Sequence, residues 1–415
     1  MAPYASDDAV DAARDEDPRS GRRKAARYAV PVAVVGVAAV TIGLVPALAD
    51  SGDPDLPKIS AQQLVEKIAR SDVQQLSGTV KISTDLGLPE LGGLENSLLS
   101  GADKGSGDGS SADPRTRLTE LVSGTHTLRV AADGPDRQKL SLLESGAEYS
   151  LIHDGKDVWG YDSKSNEVHH STAAGSGGHG AEPPAMPKDF ADKALKSVDD
   201  TTSVTVDGTA QVAGRDAYKL LIKPRQSGTT VGAISIAVDA RTGLPLKFTL
   251  TPSGGGAAVV DAGFTRVSFA EPAASTFDFT PPKGAKVTEE KDGSPGREHA
   301  PGNGGKFRDG SPARGHAPRD GGEFAKGLGG ATVLGKGWTS VAAFDTGAKG
   351  GLPTGAEGGD LGGFLGSLGE PVSGAFGKGT VFSTRLVNAL ITDDGKVYAG
   401  AVTKDALVKA ADAAK

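Results

Sequence analysis

The sequence contains no cysteine. That excludes disulfides, thiolate metal sites, a cysteine nucleophile and a lipidated cysteine anchor. An exported chain of this kind must rely on its sheet and core for stability. Basic charge is also short, with 45 Lys and Arg against 52 Asp and Glu and a formal net charge of −7. General nucleic-acid affinity needs a basic footprint, so nucleic acid is not expected as a partner. Apolar residues reach only 37%, below the globular average, while 60 of the 415 residues are glycine. The shortfall is local, so a core remains available elsewhere.

Catalytic patterns are missing too. The seven histidines form no H-E-x-x-H, and no G-x-S-x-G elbow occurs. Gly330 to Gly337 contains G-x4-G-K, but Gly337 stands where a phosphate loop needs Ser or Thr for magnesium. The stretch is glycine-rich, and chance explains the match. His169 and His170 are adjacent, so a strand would point them to opposite faces, away from one shared ion. Asp154, Asp157 and Asp162 flank Trp159 at strand ends, where Asp is ordinary turn material. The expectation is a protein that is not an enzyme, with no cofactor and no metal.

What is present begins with a membrane-related signal. Residues 1–27 are polar and read as a disordered cytoplasmic N-region that ends in Arg22, Arg23, Lys24 and Arg27. Residues 28–49 carry no charge and are long enough to span a bilayer core. Asp50, Asp53 and Asp55 follow, so the positive-inside rule places the bulk of the chain outside the cytoplasm. Ala47-Leu48-Ala49 also fits a signal-peptidase site. Two fates stay open: a single-pass anchor in the cell membrane, or secretion after cleavage near Ala49.

Beyond this segment the sequence divides into a domain over 55–288, a linker over 289–330 and a small C-terminal unit over 331–415. Ser60 with Gln63 makes a capping box for a helix over 60–72. Phe190, Ala194, Leu195 and Val198 give a second short helix, and Thr403 caps a last one. Short apolar runs separated by Gly134-Pro135, Asp154-Gly155, Asp207-Gly208 and Thr242-Gly243 give about eleven strands in 60–282. Tight turns cannot join parallel strands, so the fold class is α+β, mainly antiparallel, as a sheet or barrel. Residues 86–114 interrupt the pattern, and Gly101–Asp113 reads as a Gly/Ser/Asp linker.

Alternate strand residues share a face. Val80 and Ile82, Leu128 and Val130, Leu140 and Leu142, and Ile234, Ile236 and Val238 are therefore the inward candidates, with Trp159 added to the groove set. Leu86, Leu88, Leu91, Leu94, Leu98 and Leu99 lie among Gly and Pro and read as a flap over that face. Left in water, they would form a patch of the size that usually marks a binding site.

Leu-Ser-Gly-Thr-Val at 76–80 and Asp-Gly-Lys-Asp-Val-Trp-Gly-Tyr-Asp at 154–162 resemble the motifs of LolA-type lipoprotein carriers. Val212 to Leu220, Ile236-Ala237-Val238-Asp239 with Thr242-Gly243-Leu244-Pro245, and Phe277 to Ala285 continue the same order. The match covers roughly residues 58–288. It implies a half-open, strongly curved barrel of about eleven strands with a helical lid, holding lipid or the acyl chains of lipoproteins in an apolar groove. Departures are the Leu/Gly insert, the extra C-terminal unit and an unclear Arg-bearing strand, for which Arg129 is the candidate. A carrier domain followed by a small unit resembles RseB-type regulators, which implies an alternative: an envelope-signalling protein binding an anti-sigma factor or other membrane protein.

Overall fold

Ser60 caps the first helix. Its hydroxyl accepts from the Gln63 amide while the Gln63 side chain accepts from the Ser60 amide, closing the N-terminus of α1 (Ala61–Ala69). Leu64 and Ile68 lie one turn apart and bury against the sheet. The computed structural model describes residues 54–87, 110–114, 117, 121, 123–172, 186–289, 332–345 and 369–414.

The first sheet is built from β1 (Gln75–Thr84), β2 (Gly124–Asp133), β3 (Arg137–Glu144), β4 (Ala147–Asp154), β5 (Asp157–Asp162), β6 (Glu167–Thr172), β7 (Thr202–Val212), β8 (Arg215–Pro224), β9 (Val231–Asp239), β10 (Pro245–Pro252), β11 (Val260–Ser268) and β12 (Lys286–Glu289). Their order is β12-β6-β5-β4-β3-β2-β1-β11-β10-β9-β8-β7. Neighbours are antiparallel except β12, which runs parallel to β6. The sheet is curved and open, not closed into a barrel. α2 (Pro187–Lys196) connects β6 to β7 and packs on β10, beside α1 on β7 and β8.

The second sheet joins β13 (Thr332–Leu334), β14 (Val341–Asp345), β15 (Gly369–Gly374), β16 (Gly377–Ser383), β17 (Asn388–Thr392) and β18 (Lys396–Gly400) in the order β13-β14-β18-β17-β16-β15. Thr403 accepts from the Ala406 amide and caps α3 (Lys404–Ala413), whose Leu407 and Ala411 bury against Val341, Leu390 and Tyr398. This sheet meets the first one through backbone contacts. Thr230 donates its amide to the Ala401 carbonyl at 3.0 Å, and Thr403 donates its own to Gly228 at 2.8 Å. Among the described residues no helix is long and apolar enough to cross a membrane. Residues 1–27, the 28–49 segment and the linker from 290 onward lie outside the described residues.

Candidate functional site

Register decides which residues face together. Val80 lies opposite Phe264 on one side and Leu128 on the other, and the row continues through Leu142 to Tyr149. A second row runs Leu220, Ile236, Phe248, Ala262 and Ile82. Directly paired residues in an antiparallel ladder share a face. The structure therefore brings Val80, Ile82, Leu128, Val130, Leu140, Leu142, Ile234, Ile236 and Val238 onto one continuous inner face. All are buried except Leu140, which is half-buried beside Leu151.

That face is covered in two halves. Leu64 and Ile68 of α1 and Ala191 and Ala194 of α2 cover Leu220, Ile222, Ile234, Ile236, Val238 and Phe248. Phe190 stacks on Phe248 with ring centroids 5.3 Å apart. On the β2–β6 half the cover includes a strap over residues 110–114. Ala112 is fully buried, and its carbonyl accepts from the Tyr149 hydroxyl at 3.2 Å. This corrects the linker reading of residues 110–113. Small side chains, which suggest a flexible linker by composition, here let the backbone lie flat on the sheet.

The strap is locked by charge. Arg117 donates to Asp162 at 2.5 Å, to Glu144 at 3.1 Å and to the Ser111 carbonyl at 3.0 Å. Ser110 and Ser111 donate to Glu167. Burial opposes ionisation of Asp162, but the Lys164 amide and the Arg117 guanidinium outweigh it and hold the carboxyl below its ordinary range. Burial pushes the Tyr149 hydroxyl up, so it stays a donor.

Trp159 does not join this face. It pairs with Ile152 and His170, whereas Leu151 pairs with Gly160, so Trp159 points to the outer side. There it stacks on His170 at 3.8 Å and touches Phe279 at 5.5 Å. The Phe277–Phe279 box covers that end of the sheet from outside, with Phe277, Ile152 and Val168 buried. A large aromatic thus has a covered apolar site on the side opposite to the expected one. Leu86 is half-buried at the end of β1, while Leu88, Leu91, Leu94, Leu98 and Leu99 lie outside the described residues.

Other motif residues prove to be scaffolding. Arg215 donates to both oxygens of Asp239, and Asp239 also accepts from the Arg241 and Thr242 amides. Burial opposes the charge on Asp239, yet these donors hold its carboxyl below the ordinary range. Gly243 follows with φ of 78°, and a Cβ there would meet the Lys67 carbonyl at 2.5 Å, so the turn seats directly on α1. Tyr149 and Arg117 are the residues sequence reasoning missed, while Asp162, read as turn material at a strand end, is instead buried and pairs with Arg117.

No protein-family model matches the chain, and no curated protein matches it. Among solved structures it is similar to the MucA/MucB complex of Pseudomonas aeruginosa, at 17% identity over 85% of this chain and 96% of that one, with a TM-score of 0.37. It is similar to a LolA superfamily protein from Nitrosomonas europaea, at 9% identity over 54% and 99%, with a TM-score of 0.21. A putative outer membrane lipoprotein-sorting protein domain from Vibrio parahaemolyticus shares 12% over 53% and 96%, with a TM-score of 0.21.

Proposed function

We propose that this chain is an extracytoplasmic, non-catalytic binding protein that holds lipid or lipoprotein acyl chains against the inner face of its sheet. The observation that supports this is the cover. Two apolar rows cross the sheet, yet what lies on them is two short helices and a small-residue strap rather than a second sheet. Such a cover can be displaced. Each methylene of an acyl chain that replaces it gains about 0.8 kcal/mol, so the face requires no special chemistry. The segment 28–49 supplies export, by cleavage near Ala49 or retention in the membrane.

The test is displacement of an apolar fluorescent probe from the purified chain by lipid, with mass spectrometry of its organic extract. Replacing Leu91, Leu94 and Leu98 together with Ser weakens probe binding while circular dichroism stays native. Unchanged probe binding in that variant removes the flap from the reading. An extract free of lipid together with a probe that does not bind removes the reading itself.

A second reading, a signalling regulator that contacts a membrane protein, is favoured by one contact. Arg385, in the turn between β16 and β17, donates its amide to the Leu86 carbonyl at 2.8 Å, and its side chain pairs with Asp85. The C-terminal sheet thus grips the root of the Leu/Gly insert. A membrane protein that co-purifies with the full chain, and is lost on Arg385→Ala, would support it.

A further inference from the structure

The outer face of the sheet carries a feature that the inner-face reading leaves unused. Where β1, β2, β3 and β11 lie side by side, a groove of about 460 Å³ is lined by Ser77, Thr79, Arg129, Lys139, Arg266 and Glu148, among others. In a chain of net charge −7, three cations around one carboxylate are out of proportion. Register places them. Arg266 lies opposite Thr79, and Thr79 opposite Arg129, so the two guanidinium-bearing positions are two strands apart on one row, roughly 10 Å. Both side chains are long enough to converge above Thr79. Lys139 sits diagonally, opposite Ala131 on the next row.

A bulge sets the aim. The ladder between β1 and β11 slips between Thr79 and Val80, so Thr265 is extra, and its hydroxyl donates to the Thr79 carbonyl at 3.2 Å. Bulges turn a strand locally and re-aim its side chains. Behind the groove Ser141 and Ser150 are buried and bonded to each other at 2.8 Å. Ser150 donates onward to Glu148 at 2.8 Å. Glu148 in turn stands 3.8 Å from Arg129, at the far limit of an ion pair, with Arg129 mostly exposed. Among the described residues Arg266 and Lys139 have no ion-pair partner.

We propose that this outer groove binds a phosphomonoester, with Arg129 and Arg266 as a two-sided guanidinium clamp, Lys139 as a third charge and Glu148 as an internal stand-in. Three cations less one carboxylate leave two positive charges, matching the −1.5 to −2 of a phosphomonoester better than the single charge of a carboxylate. Guanidinium forks fit tetrahedral oxygens in pairs. Glu148 repels the incoming anion and competes for Arg129, so its charge works against binding. The groove lies on the face opposite the apolar rows, and its ligand does not depend on any acyl guest.

The same chemistry has two sources: free phosphate esters in solution, and the headgroup of an anionic lipid. The full chain in neutral detergent is titrated calorimetrically with inorganic phosphate, and separately with micelles carrying phosphatidic acid. Binding in both arms identifies a site for free phosphate esters, and binding to doped micelles alone identifies a headgroup site. In either case Arg129→Ala and Arg266→Ala each weaken binding about tenfold, the worth of one charged hydrogen-bonding partner. Glu148→Gln tightens it severalfold, the opposite sign to any structural damage. Absence of binding in both arms overturns the proposal. So does binding that is unchanged in the two arginine variants. Should those variants fail to fold, Glu148→Gln decides alone, and binding that is no tighter in it overturns the proposal.

Discussion

Gly160 shows how a single absent methyl can place a whole segment. It sits between Trp159 and Tyr161, on the inner face opposite Leu151. A Cβ at this position would stand 2.5 Å from the Ala112 carbonyl and 2.9 Å from the Tyr149 hydroxyl. The first of these is backbone and cannot rotate away. Gly160→Val therefore lifts the strap, breaks the Tyr149–Ala112 hydrogen bond and strains the Arg117–Asp162 pair beside it. The expected loss is about 1–3 kcal/mol, as for overpacking a filled site, read as a lower denaturant midpoint. A midpoint equal to the parent would show that the strap is not seated on the glycine. A Trp-Gly-Tyr run can be read as a strand from sequence, but what the glycine receives lies 48 positions earlier in a stretch of Gly, Ser and Asp.

Elements were legible where their causes are local. The Ser60–Gln63 box, the Thr403 cap and the turn glycines at 134, 155 and 243 all act within a few residues. Alternation likewise put nine of the groove candidates on one face, because period two holds along each strand and across each ladder. What failed was side choice where the outer face is also covered. Trp159 went outward because Phe277 and Phe279, more than a hundred residues on, close over it, and no periodicity encodes that. The same distant segment supplies β12, whose four residues hold β6 in parallel pairing. Its clasp is His170, which lies 2.6 Å from Glu289 and 3.0 Å from Asp157. Burial disfavours the imidazolium, but the two carboxylates outweigh it and raise its pKa above the ordinary value. A raised folded pKa means that the clasp's contribution is fully present at pH below the unfolded value, about 6.5, and is lost as pH climbs through the folded one. Amide hydrogen exchange at Lys286–Glu289, corrected for its intrinsic pH dependence, should accelerate across that climb. In His170→Gln it should be fast throughout. Protection that does not change with pH in the parent chain would mean that β12 is held by its ladder and by the Lys286–Glu167 pair instead.

At the scale of the molecule the question is how the two sheets stay together. The Gly/Pro-rich stretch between them reads as a linker by composition, and this suggests units that separate once it is cut. The contacts argue for something tighter. Thr229 forms an antiparallel bridge with Val402, flanked by the Thr230–Ala401 and Thr403–Gly228 hydrogen bonds. Trp338 adds a second anchor: its amide donates to Gln226 at 2.8 Å and its indole to Thr202 at 2.9 Å. Arg385 is the third, reaching Asp85, Leu86 and Ala257. None of these runs through the linker, and composition cannot reveal any of them, since each joins residues more than a hundred positions apart. They are mostly polar, as contacts between domains of one chain commonly are, and each contributes on the order of 1 kcal/mol. Together they outlast a single nick. Limited proteolysis within 290–331 should therefore leave two fragments that co-elute on size exclusion, each folded by circular dichroism. Trp338→Ala combined with Arg385→Ala removes the side-chain bonds of two of the three anchors, leaving their backbone bonds to Gln226 and Leu86, and should let the nicked halves elute apart, while the uncut double variant elutes as the parent does. Separation of the nicked parent chain under native conditions would show that the covalent linker, not the docked surface, holds the C-terminal sheet in place. In that case Arg385 could not couple that sheet to the root of the leucine-rich insert.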